Sequence, residues 1–147
     1  MKKLIIAAAL MTAVVAQASV EWSWWLDDKD AKADISLGIV NRIAEVDSLE
    51  LALIYGGSPV KDGAQVAFPG INDSDSDCAL QFSFWFNRGK DPCAQIAFVN
   101  VAKKPAFDFG FVNFADDAKV QIGLLNFDKN GFLPLFPFIN LSKTLFE

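Results

Sequence analysis

The chain has 147 residues with 18 acidic and 13 basic side chains, two cysteines and no histidine. An acidic balance lacks the clustered Lys and Arg that a phosphate backbone demands, so nucleic acid is not an expected partner. Without histidine there is no Ser-His or Cys-His dyad, and the commonest general base and metal ligand is missing.

From the N-terminus, Lys2 and Lys3 lead into an apolar run, Leu4 to Ala16, and then into Ala16-Gln17-Ala18. These are the three parts of a secretory signal peptide over residues 1–18, and the run is too short to span a bilayer. Cleavage after Ala18 leaves residues 19–147 as one domain with 11 basic against 18 acidic side chains, a net charge of −7. No cysteine follows the signal directly, so no lipoprotein anchor is expected. The predicted location is the periplasm, the cell surface or the outer membrane. Trp22, Trp24 and Trp25 come next, in "WSWW". Clustered aromatics are usually core, so they are expected to cap the first repeat, with a sugar-stacking platform as the alternative.

From Ser36 a six-residue phrase recurs: variable, apolar, small, apolar, apolar, then often Asn. It reads "SLGIVN" at Ser36, "ELALIY" at Glu50, "QVAFPG" at Gln65 and "QFSFWF" at Gln81. It continues as "QIAFVN" at Gln95, "DFGFVN" at Asp108, "QIGLLN" at Gln121 and "LFPFIN" at Leu135. Successive starts lie 14, 15, 16, 14, 13, 13 and 14 residues apart, which marks a repeat protein. Residues alternate within each phrase: Leu80, Phe82, Phe84 and Phe86 take one face, and Gln81, Ser83 and Trp85 the other. Alternation at period two, rich in Phe, Val and Ile, is a strand signal. The stretches between phrases, such as "SPVKD", "NRGKDP" and "KKPA", are turn formers.

The small column (Gly38, Ala52, Ala67, Ser83, Ala97, Gly110, Gly123) implies close approach of another backbone. The Asn column holds Asn41, Asn100, Asn113, Asn126 and Asn140, which would form a ladder when stacked. Tyr55, Gly70 and Phe86 fall in that column and would interrupt it.

The expected fold is all-β: a parallel β-solenoid of about eight short coils, with an eight-stranded up-and-down β-barrel as the alternative. A uniform repeat suits coils that all run one way. Pro134 and Pro137 in the last copy belong on an exposed edge, which a closed barrel lacks. Tyr55 is the only tyrosine, so the aromatic girdles of an outer-membrane barrel are missing.

The phrases "QIAFVN" and "QIGLLN" and the ending "LPLFPFIN" resemble bacterial exported surface-repeat proteins built from tandem GLQxGLxN-like repeats. The likeness covers about residues 34 to 140 and is weakest at Glu50, Gln65 and Gln81. It implies a surface or periplasmic location and no particular activity.

Candidate chemistry is sparse. Asp73, Asp75 and Asp77 in "NDSDSDCAL" have the one-three-five spacing of a calcium loop, but Cys78 stands at position six and Phe84 at position twelve. A solvated turn is the plainer reading; Asp27, Asp28 and Asp30 make a poorer candidate still. Asp116-Asp117 would serve glycoside hydrolysis only across a cleft. Cys78 and Cys93 precede adjacent phrases and are expected to form a disulfide after export, since like places in adjacent coils lie about 5 Å apart. No catalytic or cofactor-binding residue is predicted. The expected role is that of an exported, non-enzymatic structural or surface-binding repeat protein with a protein or cell-surface partner. A small outer-membrane barrel is the alternative, a secreted hydrolase the third reading, and membrane contact is expected only for the barrel.

Overall fold

The computed structural model describes residues 19–74 and 80–143, apart from the side chain of Ser23. Nine strands form one sheet: β1 (Val20–Gly56), β2 (Ala64–Ala67), β3 (Ile71–Asp73), β4 (Leu80–Ser83), β5 (Phe86–Arg88), β6 (Ala94–Ala102), β7 (Phe107–Ala115), β8 (Val120–Asp128) and β9 (Leu135–Leu141). The chain winds as a parallel β-solenoid. Every pairing among β1 to β8 is parallel and joins like places of successive phrases: Glu50 with Gln65, Gln65 with Gln81, Gln81 with Gln95, Gln95 with Asp108, and Asp108 with Gln121. A barrel of antiparallel neighbours cannot give this register, so the barrel alternative is overturned.

Each coil consists of two short strand segments, a bend, and a charged turn back to the next coil. The bend varies in length. Three residues, Phe68 to Gly70, separate β2 from β3; two, Phe84 and Trp85, separate β4 from β5. In β6 and β7 a single residue suffices, and the register skips the Phe98 and Phe111 pair. This corrects the expected Asn column. Asn72 and Asn87, displaced in sequence by the longer bends, stack in register with one another and with Asn100. Gly56 partners Asn72, and the bond from Gly57 N to Asn41 O puts Gly56 beside Asn41 on its other side. The ladder is therefore interrupted at Gly56 alone among these coils, not at three places.

Two further corrections lie at the ends. The copy at Leu135 is not a parallel coil. It forms β9, antiparallel to β8 at the sheet's edge, with Gln121 opposite Asn140 and a register irregularity between Gly123 and Asn126. Seven of the eight predicted copies are thus stacked coils. At the other end, "EWSWWL" from Glu21 is itself a copy, 15 residues ahead of Ser36. The Ile35 N to Ser19 O bond reproduces the Val120 N to Ala106 O bond that accompanies the Phe107–Val120 pairing. Trp22, Trp24 and Trp25 are 71–73% exposed, as outward residues of this first coil and not a buried cap. Pro134 and Pro137 lie in the exposed edge segment, as expected from their missing donors.

Candidate functional site

Beneath the phrases the solenoid is polar inside and apolar outside, while Ala33, Ile43, Val46 and Val60 form a separate buried apolar cluster. Of the two faces of each phrase, the one bearing amides is the core. Gln65, Gln81, Gln95, Asp108 and Gln121, with Ser36 and Glu50, are fully buried at the first place of their coils. Asn41, Asn72, Asn87, Asn100, Asn113 and Asn126 are fully buried at the sixth. Between them lies the small column, with Ala52, Ala67, Ser83 and Ala97 buried. A Cβ added to Gly110 would sit 2.5 Å from Ala97 O and 2.7 Å from Asn100 Nδ2. The close backbone approach inferred from the small residues is present.

An amide is tolerated in a dry core only if its donor and acceptor are both used. Stacking at the coil spacing achieves that, because each amide can donate to the next. In the Asn ladder Nδ2 of Asn72 donates to Asn87 Oδ1 at 3.0 Å, Asn87 to Asn100 at 3.2 Å, Asn100 to Asn113 at 2.9 Å and Asn113 to Asn126 at 2.7 Å. The second hydrogen of each Nδ2 meets a backbone carbonyl across the bend, as from Asn113 to Ile122 O at 3.0 Å. The ladder's starts are marked by orphans. Asn72 Oδ1 and Asn41 Oδ1 have no donor, because Gly56 precedes Asn72 and, by the 15-residue step, Leu26 precedes Asn41.

The Gln ladder donates the opposite way, toward the N-terminal coils. Gln95 Nε2 donates to Gln81 Oε1 at 2.5 Å, Gln81 to Gln65 Oε1 at 2.8 Å, and Gln65 to Glu50 Oε2 at 2.6 Å. Opposed donation sets the two columns of amide dipoles against each other. Two carboxyls sit within this ladder. Burial is the main cause that raises Glu50 to about 7, opposed by its bonds from Ser58 and Gln65. Burial likewise raises Asp108 to about 7, opposed by Gln121 and reinforced by the charge of Asp128.

Apolar side chains cover the outside. Phe68, Phe84, Trp85, Phe98, Phe111 and Leu124 are 43–55% exposed along the bend. Their rings form a continuous row: Phe68 to Phe84 at 6.0 Å, Phe84 to Trp85 at 4.7 Å, Trp85 to Phe98 at 6.3 Å, and Phe98 stacked on Phe111 at 4.8 Å. Near the first coil, Trp22, Trp24, Leu37, Ile39, Leu51 and Leu53 line an apolar surface groove of about 350 Å³. Solvated charge is gathered at the turns, where Glu45 faces Lys32 and Lys61 at 3.5 and 3.3 Å.

Of the predicted site residues, Asp73 lies at the end of β3 and pairs with Arg88 Nε at 2.6 Å; Asp75, Asp77 and Cys78 lie outside the described residues. Among the described residues no group of three or more acidic, His or Cys side chains is placed to hold a metal ion. Cys93 is exposed, with a free thiol. Cys93 immediately precedes Ala94, which pairs with Leu80. Asp116 is engaged by Lys129 on the surface. The buried carboxyls Glu50 and Asp108 went unrecognised in the sequence. The available signal was the first place of the phrase, read as variable but never apolar in the parallel coils; it is apolar only at Leu135, in the copy that turns antiparallel. Comparison with protein-family models, curated proteins and solved structures finds no match to this chain.

Proposed function

We propose that this chain is an exported, non-enzymatic structural or surface-binding repeat protein. Its stacked strands present apolar rows to a protein or cell-surface partner. The observation that carries the reading is the direction of the phrase side chains: amides and carboxyls stack in the interior beside one small apolar cluster, while large apolar side chains point outward on coil after coil. Soluble monomers rarely expose contiguous apolar area of this kind unless it is used. Residues 1–18 have the composition of a secretory signal, which favours export. A disulfide between Cys78 and Cys93 belongs to the same reading, because an oxidising compartment favours pairing and adjacent coils bring their turns together. Calcium at Asp73, Asp75 and Asp77 is not part of it, since Arg88 already neutralises Asp73.

The test is fractionation of the native cell followed by mass spectrometry and diagonal electrophoresis. The expected result is a mature chain starting at Ser19, recovered from the periplasm or surface, with Cys78 and Cys93 bridged. An intact Met1 on cytoplasmic protein would overturn export; two free thiols in unreduced protein would overturn the bridge.

A further inference from the structure

We propose that Glu50 and Asp108 hold one proton in common through the stacked amides of Gln65, Gln81 and Gln95, and that its loss loosens the middle coils, making the core a pH-sensitive latch. The two carboxyls lie four coils apart, roughly 19 Å at about 4.8 Å per coil. Between them run four links: Glu50 to Gln65, Gln65 to Gln81, Gln81 to Gln95 and Gln95 to Asp108. Gln65 and Gln81 each direct one hydrogen along the axis, since the other is drawn sideways, from Gln65 Nε2 to Gly56 O at 3.0 Å and from Gln81 Nε2 to Arg88 O at 3.0 Å, and Gln95 Nε2 donates along the axis to Gln81. Three amides therefore supply three donors for four links. An ionised carboxylate supplies none. The fourth donor has to be a carboxyl proton.

The geometry locates the shortfall at Gln95. With its Nε2 donating to Gln81, its Oε1 lies 3.2 Å from Asp108 Oδ1, acceptor against acceptor, and its Nε2 lies 3.3 Å from Gly89 N. A proton on Asp108 Oδ1 turns the first of these contacts into a hydrogen bond. Turning the Gln95 amide instead satisfies Asp108 and Gly89 N but sets its oxygen 2.5 Å from Gln81 Oε1. That conflict is relieved only if Gln81 and Gln65 turn too, giving up their bonds to Arg88 O and Gly56 O, and Glu50 carries the proton. The three amides point away from whichever end holds the proton; with it on Asp108 the sideways bonds of Gln65 and Gln81 are kept, and with it on Glu50 they are given up. If both ends are ionised, one link is left with two facing acceptors in a dry core.

The groups facing each end are few. Glu50 meets Ser58 Oγ at 2.5 Å, Ser58 N at 3.3 Å and Gln65 on the next coil. Asp108 meets Gln95 on β6 and, on β8, Gln121 Nε2 at 3.5 Å, with the Asp128 carboxylate adding repulsion. Asp128 itself accepts from Ala118 N and Asn130 N, both at 3.0 Å. Burial raises both carboxyls toward neutrality, so the folded chain binds the proton over a range where the unfolded chain has released it. Stability is then present in full at low pH and is lost as pH rises through about 7. The step is acid dissociation alone, with the proton passing to solvent.

The experiment is thermal melting between pH 5 and pH 8 for the parent chain, Asp108→Asn, Glu50→Gln and the double variant. Either amide supplies the fourth donor permanently. The parent is expected to lose on the order of 10 °C over this range, and each single variant to lose almost none of it. Independent carboxyls would instead leave about half the drop in each single variant and abolish it only in the double, which would overturn the shared proton. A parent melting temperature that does not fall would also overturn it. Should a variant fail to fold, carboxyl-carbon NMR titration of the parent decides: one common midpoint for Glu50 and Asp108 is expected, and two separate midpoints, or titration of both below pH 5, would refute the relay.

Discussion

Asn113 accepts from Asn100 at 2.9 Å, donates to Asn126 at 2.7 Å and donates across the bend to Ile122 O at 3.0 Å. Replacing it with Ala would strand the Asn126 and Ile122 acceptors and the Asn100 donor in a core that excludes water. At about 1–3 kcal/mol for each buried orphan, with partial relaxation, Asn113→Ala should cost roughly 3 kcal/mol. Phe111, 47% exposed and stacked on Phe98, loses little more than that ring contact on truncation, so Phe111→Ala should cost about 1 kcal/mol. Most globular proteins show the reverse order. Denaturant melts of the two variants check it, and an equal or larger loss for Phe111→Ala would mean that the apolar face, not the ladder, holds the coils. Gly110→Leu tests the small column: its Cβ would lie 2.5 Å from Ala97 O, and overpacking should cost about 1–3 kcal/mol. Lys104→Ala, on an exposed turn, should change stability by less than about 0.5 kcal/mol.

Among the elements, β9 carries the largest departure from the repeat. A parallel stack ends in a row of unpaired donors and acceptors, ready to template another strand. Here the last copy reverses direction, pairs Gln121 with Asn140, and brings two prolines to the edge. Phe138, opposite Gly123, takes a φ of 69°, a left-handed value unusual for an aromatic residue. The gap at Asn72 Oδ1 and the orphan Gln121 Oε1 show the same logic: amides are satisfied within a ladder and stranded where it stops. Replacing Pro134 and Pro137 together by Val should restore edge donors and promote fibre growth. Thioflavin fluorescence and light scattering at matched concentration check this. Unchanged solubility would mean that strand reversal alone protects the end.

At the scale of the whole molecule, the distribution of side chains is inverted relative to an ordinary globular domain. Amide ladders hold the coils together from within, and apolar rows lie where solvent or a partner must meet them. The native chain should therefore bind an apolar dye such as ANS at pH 7 without any loss of sheet signal, and thermal unfolding should reduce the binding. Binding only on partial unfolding would mean that these rows are covered in solution.

Strand type, repeat spacing and the small seam were legible in the sequence, because period-two alternation and a spacing of 13 to 16 residues are local, repeated signals. So was the edge role of Pro134 and Pro137, which follows from a missing donor wherever they lie. The sequence also showed that an Asn column would stack, but not that the variable first place forms a second ladder, nor which face would be the core. Alternation is symmetric between faces, and only the stacking of successive coils, which links their buried amides to one another, decides it. Asn72 and Asn87 joined the ladder only in three dimensions, because bends of three and two residues shift them in sequence while parallel pairing brings them back into register. Glu50 and Asp108 were one polar residue among several in a variable column until stacking placed them at the two ends of three amides. Their chemistry comes from being dry and from the count of donors between them, and neither property belongs to any residue taken alone.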